Sequence, residues 1–272
     1  MSANGPGRLE RTFASLRQRS RKALIIYLMA GDPDTAFTAR LVPKLADAGA
    51  DVVELGFPFS DPIADGPVIQ AAGQRALPGL SDPRDFLGLT AEIRAGCEIP
   101  LVCMTYYNPL FRLGEERFFA DATRAGLDGV IVPDLPLAEA GNWVRLSHES
   151  GVAAIFLDAP NSEEADSRAI GEASRGFIYL VSLKGVTGSE RGLGENLKER
   201  VARFRQFTDT PLAVGFGIST PSQAGQMGAL TDGVVVGSGV VSRIAAANSP
   251  DEAEREVLQY VAQMREGLDA GG

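Results

Sequence analysis

The sequence predicts a single (β/α)8 barrel, and three features of the 272-residue chain support this fold. Eight short runs of apolar, mostly aliphatic residues recur along it. Most of these runs are separated by stretches with helical periodicity, and no linker or shift in composition divides the chain. Buried strands that alternate with amphipathic helices are typical of parallel sheets. Eight repeats favour a closed barrel over a doubly wound sheet, which usually has about five or six strands.

The predicted strands are rich in valine, isoleucine and leucine, as expected for strands that are buried on both faces. They span residues 24–28, 51–55, 100–104, 129–132, 153–157, 177–181, 212–214 and 234–236. The predicted helices between them span residues 35–48, 85–95, 115–125, 137–149, 162–173, 195–207 and 221–227, and a helix over residues 251–264 follows the eighth strand. We also expect an extra helix before the first strand and a short helix over residues 240–246.

Glycine marks the ends of several predicted helices. Gly49, Gly126 and Gly151 each follow a helical stretch directly, at the position where glycine commonly ends a helix. The phasing of strands and helices is therefore consistent along the chain. We expect one TIM-barrel domain over residues 1–272, with disorder at residues 1–7 and 268–272, because chain ends are the least well packed.

Composition and charge exclude several classes of function. A net charge of -9 argues against nucleic acid as a partner, because phosphate backbones require a basic surface. No segment has the roughly 20 apolar residues of a membrane span or the pattern of a secretory signal, so we expect a cytoplasmic protein without membrane contact. Cys97 and Cys103 lack metal-type spacing and are expected to be reduced thiols, with a disulfide as the less favoured alternative. The single histidine, His148, excludes a histidine-rich metal site.

Two acidic residues lie at the end of the second predicted strand and in the loop after it. In such a barrel, active-site residues lie at the carboxyl ends of the strands. Because side chains alternate along a strand, Glu54 points into the barrel if Val53 and Leu55 face the helices. A structural glutamate bonded to its neighbours is the alternative, but the strand-end position favours a functional one. Asp65 follows in the loop, where aspartate is most often a turn former.

Glycine-rich loops follow the last three strands. The long loop over residues 182–194 is either a lid or a plain disordered connection. Residues 215–219 and 237–239 form the loops after the seventh and eighth predicted strands. Barrels commonly bind phosphate with these two loops, although tight turns without a ligand are the alternative. The residues alone therefore predict a barrel that binds a phosphorylated small molecule and transfers protons with carboxylates rather than with histidine or a metal.

One long segment narrows this prediction. Residues 54–67, with the sequence ELGFPFSDPIADGP, resemble the signature segment of the alpha chain of tryptophan synthase. Shorter segments follow the same family's order and spacing: AGDP at 30–33, YYNP at 106–109, PDLP at 133–136, GVTG at 185–188 and GFGI at 215–218. The similarity extends from about residue 8 to about residue 265. It implies retro-aldol cleavage of indole-3-glycerol phosphate to indole and glyceraldehyde 3-phosphate, late in tryptophan biosynthesis.

The resemblance also implies roles for individual residues. Glu54 is expected to be the general acid/base, and Asp65 is expected to hydrogen-bond the indole N–H and stabilise the positive charge that develops there. The residues expected to hold the phosphate are Gly188, Gly217, Gly237 and Ser238. The residues expected in the substrate pocket are Tyr27, Tyr106, Ile131 and Tyr179, with Thr187 positioning Asp65.

A partner follows from the same resemblance. The family works as an alpha2beta2 tetramer whose beta chain carries pyridoxal phosphate and receives the indole, so we expect neither a cofactor nor a metal on this chain. The expected beta-chain contact includes Pro58, Asp61 and Pro62 and the loop around Gly188.

Four places depart from the family's usual residues. These departures affect the expected shape of the pocket and the lid rather than the two carboxylates. They are Phe57, Pro133, Phe177 and the pair Leu183-Lys184. Three alternatives to the two-subunit enzyme stay open: a stand-alone indole-releasing lyase, another phosphate-binding barrel such as an isomerase or epimerase, and a silent scaffold that only activates a beta chain. An isomerase or epimerase has no need for Glu54 and Asp65 in this setting.

Overall fold

The computed structural model describes residues 6–182, 190–215 and 217–271, and of residues 190–194 the backbone alone. Within these ranges nine strands form one parallel sheet in the order β5-β4-β3-β2-β1-β9-β8-β7-β6. The strands are β1 Ala23–Met29, β2 Val52–Gly56, β3 Leu101–Met104, β4 Gly129–Ile131, β5 Ala153–Ile155, β6 Leu157–Asp158, β7 Ile178–Val181, β8 Leu212–Gly215 and β9 Gly233–Val236.

The sheet closes into the predicted eight-position barrel. The fifth predicted strand is divided at Phe156 into β5 and β6, which continue one another along the chain. Strand β1 pairs with both β2 and β9, so the first and last strands meet. The carbonyl of Phe156 accepts a hydrogen bond of 3.0 Å from the amide of Tyr179, which ties the break to β7. The barrel is thus confirmed, with one interrupted strand.

Helices cover the outside of the sheet. In the described residues they are α1 Arg8–Gln18, α2 Thr35–Asp47, α3 Pro67–Ala76, α4 Pro83–Gly96, α5 Tyr107–Leu113, α6 Glu115–Ala125, α7 Gly141–Ser150, α8 Glu164–Ala173, α9 Glu190–Phe204, α10 Pro221–Gly228, α11 Ser238–Ala246 and α12 Pro250–Ala270. Gly126 and Gly151 adopt the left-handed conformation after α6 and α7, as their positions predicted. None of these helices has the length and apolar composition to cross a bilayer.

Two helices and one chain end differ from the sequence prediction. Helices α3 and α5 were not predicted, because each lies between a strand and the helix that was predicted to follow it, in a stretch taken as loop; Pro67 occupies the first turn of α3, where its missing N–H costs nothing. The expected disorder from residue 268 is wrong for residues 268–270, since α12 continues to Ala270. Leu268 is 1% exposed, and the burial of this apolar side chain holds the last turn in place.

Helix α1 closes the amino end of the barrel. Its buried residues Leu9, Phe13 and Leu16 pack with the side chains inside the sheet. The rings of Phe13 and Phe177 are 5.7 Å apart. Because this end is filled by apolar side chains, the carboxyl ends of the strands remain as the end at which a ligand can enter the barrel.

Candidate active site

A cavity of about 230 Å³ lies at the carboxyl ends of the strands. Side chains from β1, β2, β3, β7 and β9 reach it, together with the loops after β2, β8 and β9. The residues that line it are Tyr27, Glu54, Asp65, Gly66, Pro67, Val68, Ile69, Met104, Tyr179, Gly217, Ile218, Val235, Gly237 and Ser238. Most of the lining is apolar, and the polar groups are concentrated at a few points, as in typical small-molecule sites.

Glu54 is the most deeply buried acid in this cavity. It lies in β2 opposite Tyr27 of β1, and the neighbours Val53 and Leu55 pack in the apolar layer under the helices. Its side chain is 1% exposed, and Oε2 makes no hydrogen bond within the described structure. Burial, with a smaller contribution from the charge of Asp65, raises the pKa of Glu54 from 4.5 to about 8. Glu54 is therefore a protonated acid at neutral pH.

Asp65 enters the cavity from the loop between β2 and α3. Burial raises its pKa from 3.8 to about 6, and a hydrogen bond with the Tyr106 hydroxyl opposes this rise. The same hydroxyl accepts a hydrogen bond of 2.9 Å from the Ala64 amide, so Tyr106 holds two adjacent loop residues. The side-chain amide of Gln70 donates to the Asp65 carbonyl at 2.8 Å. Asp65 is held in place and is ionised at neutral pH.

Two tyrosines complete the polar wall of the cavity. Tyr27 and Tyr179 are 6% and 4% exposed, and burial raises the pKa of each well above 10, with further contributions from Glu54 and Asp65. A Cβ atom at Gly56 would collide with the Tyr27 hydroxyl, and one at Gly215 would collide with the Tyr179 hydroxyl. Glycine at these two strand ends thus makes room for the phenols, which stay neutral.

Backbone groups form the part of the cavity across β1 from Glu54. Gly217, after β8, has a φ of +89°, a conformation that favours glycine. Gly237 precedes the first residue of α11, Ser238, and contributes no side-chain cap. The first amides of a helix have no partner within the helix and carry a partial positive charge, which suits an anion. In the described residues, no group of acidic, histidine or cysteine side chains is arranged to hold a metal.

Comparison with known proteins shows the family of this chain. A family model described as "Tryptophan synthase alpha chain" matches residues 13–269. The chain belongs to this family. It is 46% identical over 264 residues to the tryptophan synthase alpha chain of Geobacter sulfurreducens, covering 96% of this chain and 98% of that one. The Methylococcus capsulatus alpha chain is 45% identical over 265 residues, with 97% and 99% covered.

Solved structures of this family have the same fold. An alpha chain from Legionella pneumophila superposes with a TM-score of 0.91 at 34% identity, covering 98% of this chain and 99% of that one. A tryptophan synthase structure from M. tuberculosis, described as the aminoacrylate-bound form, gives a TM-score of 0.85 at 36% identity, with 96% and 99% covered. The barrel of the present alpha chain is therefore the barrel of its family.

The structure brings together most of the residues that the sequence analysis predicted for the site. Those around the main cavity are Glu54, Asp65, Tyr27, Tyr179, Gly217, Gly237 and Ser238. Tyr106 lines a small adjoining recess that also includes Asp65. Ile131 differs, because it is fully buried inside the barrel and lines neither space. Gly188 and Thr187 lie outside the described residues.

The residues of this chain that are expected to contact a beta chain lie along the loop after β2. Pro58 is buried, Pro62 is half-buried, and Asp61 is exposed. Pro58 also borders a surface groove of about 590 Å³.

The sequence did not reveal the apolar lining of the cavity. Met104 and Val235 lie in predicted strands, Ile218 lies in a predicted glycine-rich loop, and Ile69 lies in no predicted element; none was predicted to line a pocket, because nothing in an apolar side chain distinguishes a pocket wall from a core. Gln70 was also missed, although its position one turn into α3 is what places its amide below the loop.

Proposed function

We propose that Glu54 and Asp65 catalyse the reaction of this alpha chain. Tryptophan synthase alpha chains cleave indole-3-glycerol phosphate to indole and glyceraldehyde 3-phosphate, and the indole passes to a beta chain. One observation carries the assignment. Two carboxyl groups share one cavity with different pKa values, about 8 for Glu54 and about 6 for Asp65. A pair of acids with separated pKa values supplies a proton donor and an anion at the same pH.

We infer one orientation of the substrate from the lining of the cavity. We place its phosphate at Gly217, Gly237 and Ser238, where backbone amides and the positive end of α11 favour an anion. The indole ring then lies between Asp65 and the apolar side chains, which include Met104. Binding the distant phosphate fixes the reacting carbon against Glu54 without taking part in the reaction.

Glu54 transfers both protons. In its protonated form it donates a proton to indole C3, which makes the ring a cation. The resulting carboxylate accepts the proton from the glycerol hydroxyl next to the scissile bond. The C–C bond then breaks: its electron pair returns to the ring and neutralises it, and the oxygen becomes the aldehyde of glyceraldehyde 3-phosphate. Glu54 is again protonated, so each turnover restores the starting acid.

Asp65 stabilises the cation between these transfers. When C3 is protonated, positive charge develops at the indole nitrogen, and an ionised carboxylate at the N–H is attracted more strongly to this state than to the neutral substrate. Tyr106 supports the role, since its hydrogen bond to Asp65 favours the ionised form. Tyr27 and Tyr179 remain neutral phenols in the wall and do not compete as anions.

This chain needs no cofactor for these steps, because every electron pair returns to the ring or to the carbonyl. We propose that pyridoxal phosphate belongs to the beta chain of an alpha2beta2 tetramer. Two exposed apolar side chains support a contact surface near the loop after β2: Ile63 is 75% exposed and Phe111 is 64% exposed. We place both chains in the cytoplasm, where free thiols such as Cys97 and Cys103 persist.

Release of indole from indole-3-glycerol phosphate by the purified chain tests this proposal. We expect Glu54→Gln and Asp65→Asn each to lower kcat by about 100-fold or more. Glu92→Gln is a matched control, since Glu92 is exposed on α4, and should keep wild-type activity. Full activity in both cavity variants contradicts the assignment. No indole from the wild type, with or without a beta chain, favours a different phosphate-binding barrel.

A further inference from the structure

We propose that Tyr260 is a positioning residue for phosphate binding, because it links the two backbone segments of the phosphate site. The inference rests on the proposed function, in which Gly217, Gly237 and Ser238 hold the phosphate. These residues come from two separate loops, one after β8 and one after β9. Tyr260 belongs to neither loop. It lies in α12, the last helix, and is 3% exposed.

The hydroxyl of Tyr260 contacts both loops. It donates a hydrogen bond of 2.9 Å to the carbonyl of Ser219, two residues after Gly217. It also lies against the first turn of α11, where a Cβ atom at Gly239 would collide with it. Since one oxygen atom touches both segments, the distance between Gly217 and the start of α11 depends on where this hydroxyl is held.

Arg243, which belongs to α11, packs over the face of the Tyr260 ring. Its guanidinium carbon lies 3.6 Å from the centre of the Tyr260 ring, a close cation–π contact. Its Nη1 atom donates a hydrogen bond of 2.8 Å to the carbonyl of Gly239. Arg243 therefore joins the ring of Tyr260 to the same turn of α11 that carries Ser238.

The remaining contacts of Ser219 show why the tyrosine matters. The amides of Ser219 and Thr220 both donate to Oε1 of Gln223, at 3.0 and 3.3 Å, so Gln223 holds the N–H side of the Ser219–Thr220 peptide unit and Tyr260 holds its carbonyl. Backbone amides bind phosphate well only if they converge on it, and a small displacement weakens every contact together. Loss of the Tyr260 hydroxyl frees the Ser219 carbonyl but keeps the ring under Arg243.

Steady-state kinetics of Tyr260→Phe test this role. With indole-3-glycerol phosphate we expect KM to rise by about threefold to tenfold, the effect of one lost hydrogen bond, and kcat to stay within about twofold. The inhibition constant of inorganic phosphate should rise by the same factor as KM. With the dephosphorylated substrate, indole-3-glycerol, kcat/KM should not change, because no phosphate is bound. Arg243 is half-exposed and lies over the ring, and Arg243→Gln should change KM, kcat and the phosphate inhibition constant in the same way.

Two controls separate positioning from general stability. Tyr107→Phe removes another tyrosine hydroxyl hydrogen bond, of 2.7 Å to Glu115, away from the cavity, and should change neither substrate's kinetics. A merely structural Tyr260 would lower the midpoint of thermal unfolding and leave the ratio between the two substrates unchanged, which contradicts the inference.

Ser238→Asp separates failure of this inference from failure of the phosphate site. It places a negative charge at the proposed anion site and should raise KM and the phosphate inhibition constant far more than Tyr260→Phe does. If Ser238→Asp has this effect while Tyr260→Phe and Arg243→Gln match the wild type, the role of Tyr260 is wrong and the phosphate site stands. If Ser238→Asp has no effect, the site and the role of Tyr260 both fail.

Discussion

Replacing Glu54 by glutamine should remove activity. It should also remove a loss of stability that the wild type shows as the pH rises, because glutamine cannot ionise. The folded pKa of Glu54 is about 8 and its reference pKa is 4.5. The folded state therefore binds one more proton than the unfolded state between pH 4.5 and pH 8, and wild-type stability falls as pH rises through this window. Each pH unit costs the wild type about 1.4 kcal/mol relative to the variant. At pH 7 the accumulated cost is about 3 kcal/mol.

Urea unfolding of Glu54→Gln and the wild type at pH 5, 6, 7 and 8 measures this difference. The glutamine amide stays buried, so its own cost is the same at each pH and only the change with pH reports the ionisation. Asp65 is present in both proteins, and its titration largely cancels. Glu92→Gln, at an exposed position, should run parallel to the wild type. Parallel curves for Glu54→Gln as well would mean that Glu54 ionises normally in the folded protein, and the reasoning would be refuted.

Three further predictions concern pH, the loop and the partner. In the wild type, kcat/KM should fall below about pH 6, as Asp65 is protonated, and above about pH 8, as Glu54 ionises; a flat profile contradicts these roles. In Tyr106→Phe, the acid limb of this profile should move to higher pH, because the hydrogen bond that favours the Asp65 anion is lost. Phe111→Ser should weaken beta-chain binding in calorimetry by about tenfold or more and leave indole release by the isolated chain unchanged; equal affinity removes Phe111 from the contact.

Local sequence pattern was sufficient for the frame of the barrel. Buried parallel strands are recognisable as continuous apolar runs, and glycines such as Gly126 set the helix ends. The pattern failed where tertiary contacts decide. Helix α3 begins at Pro67 after a proline-rich loop, and the fifth strand is interrupted at Phe156 by the pairing of its neighbours, which no local signal specifies.

The candidate active site was predictable from local pattern only in part. Alternation along β2 placed Glu54 inside the barrel, but Asp65 could be singled out only through the resemblance of its segment to a known family. The difference between their pKa values depends on burial, on the charge of Asp65 beside Glu54 and on the hydrogen bond from Tyr106, which is distant from Asp65 along the chain. Tyr260 gave no signal at all, since its contact with Ser219 joins the last helix to a distant loop.

The protonation state of Glu54 is the claim on which the mechanism depends, and infrared spectroscopy of the carboxyl groups tests it most directly. The difference between wild type and Glu54→Gln should contain a protonated carboxyl band at pH 7 that disappears with a midpoint near pH 8. A band that is already absent at pH 6, with a midpoint near the reference pKa of 4.5, would contradict an acid held ready to protonate indole C3.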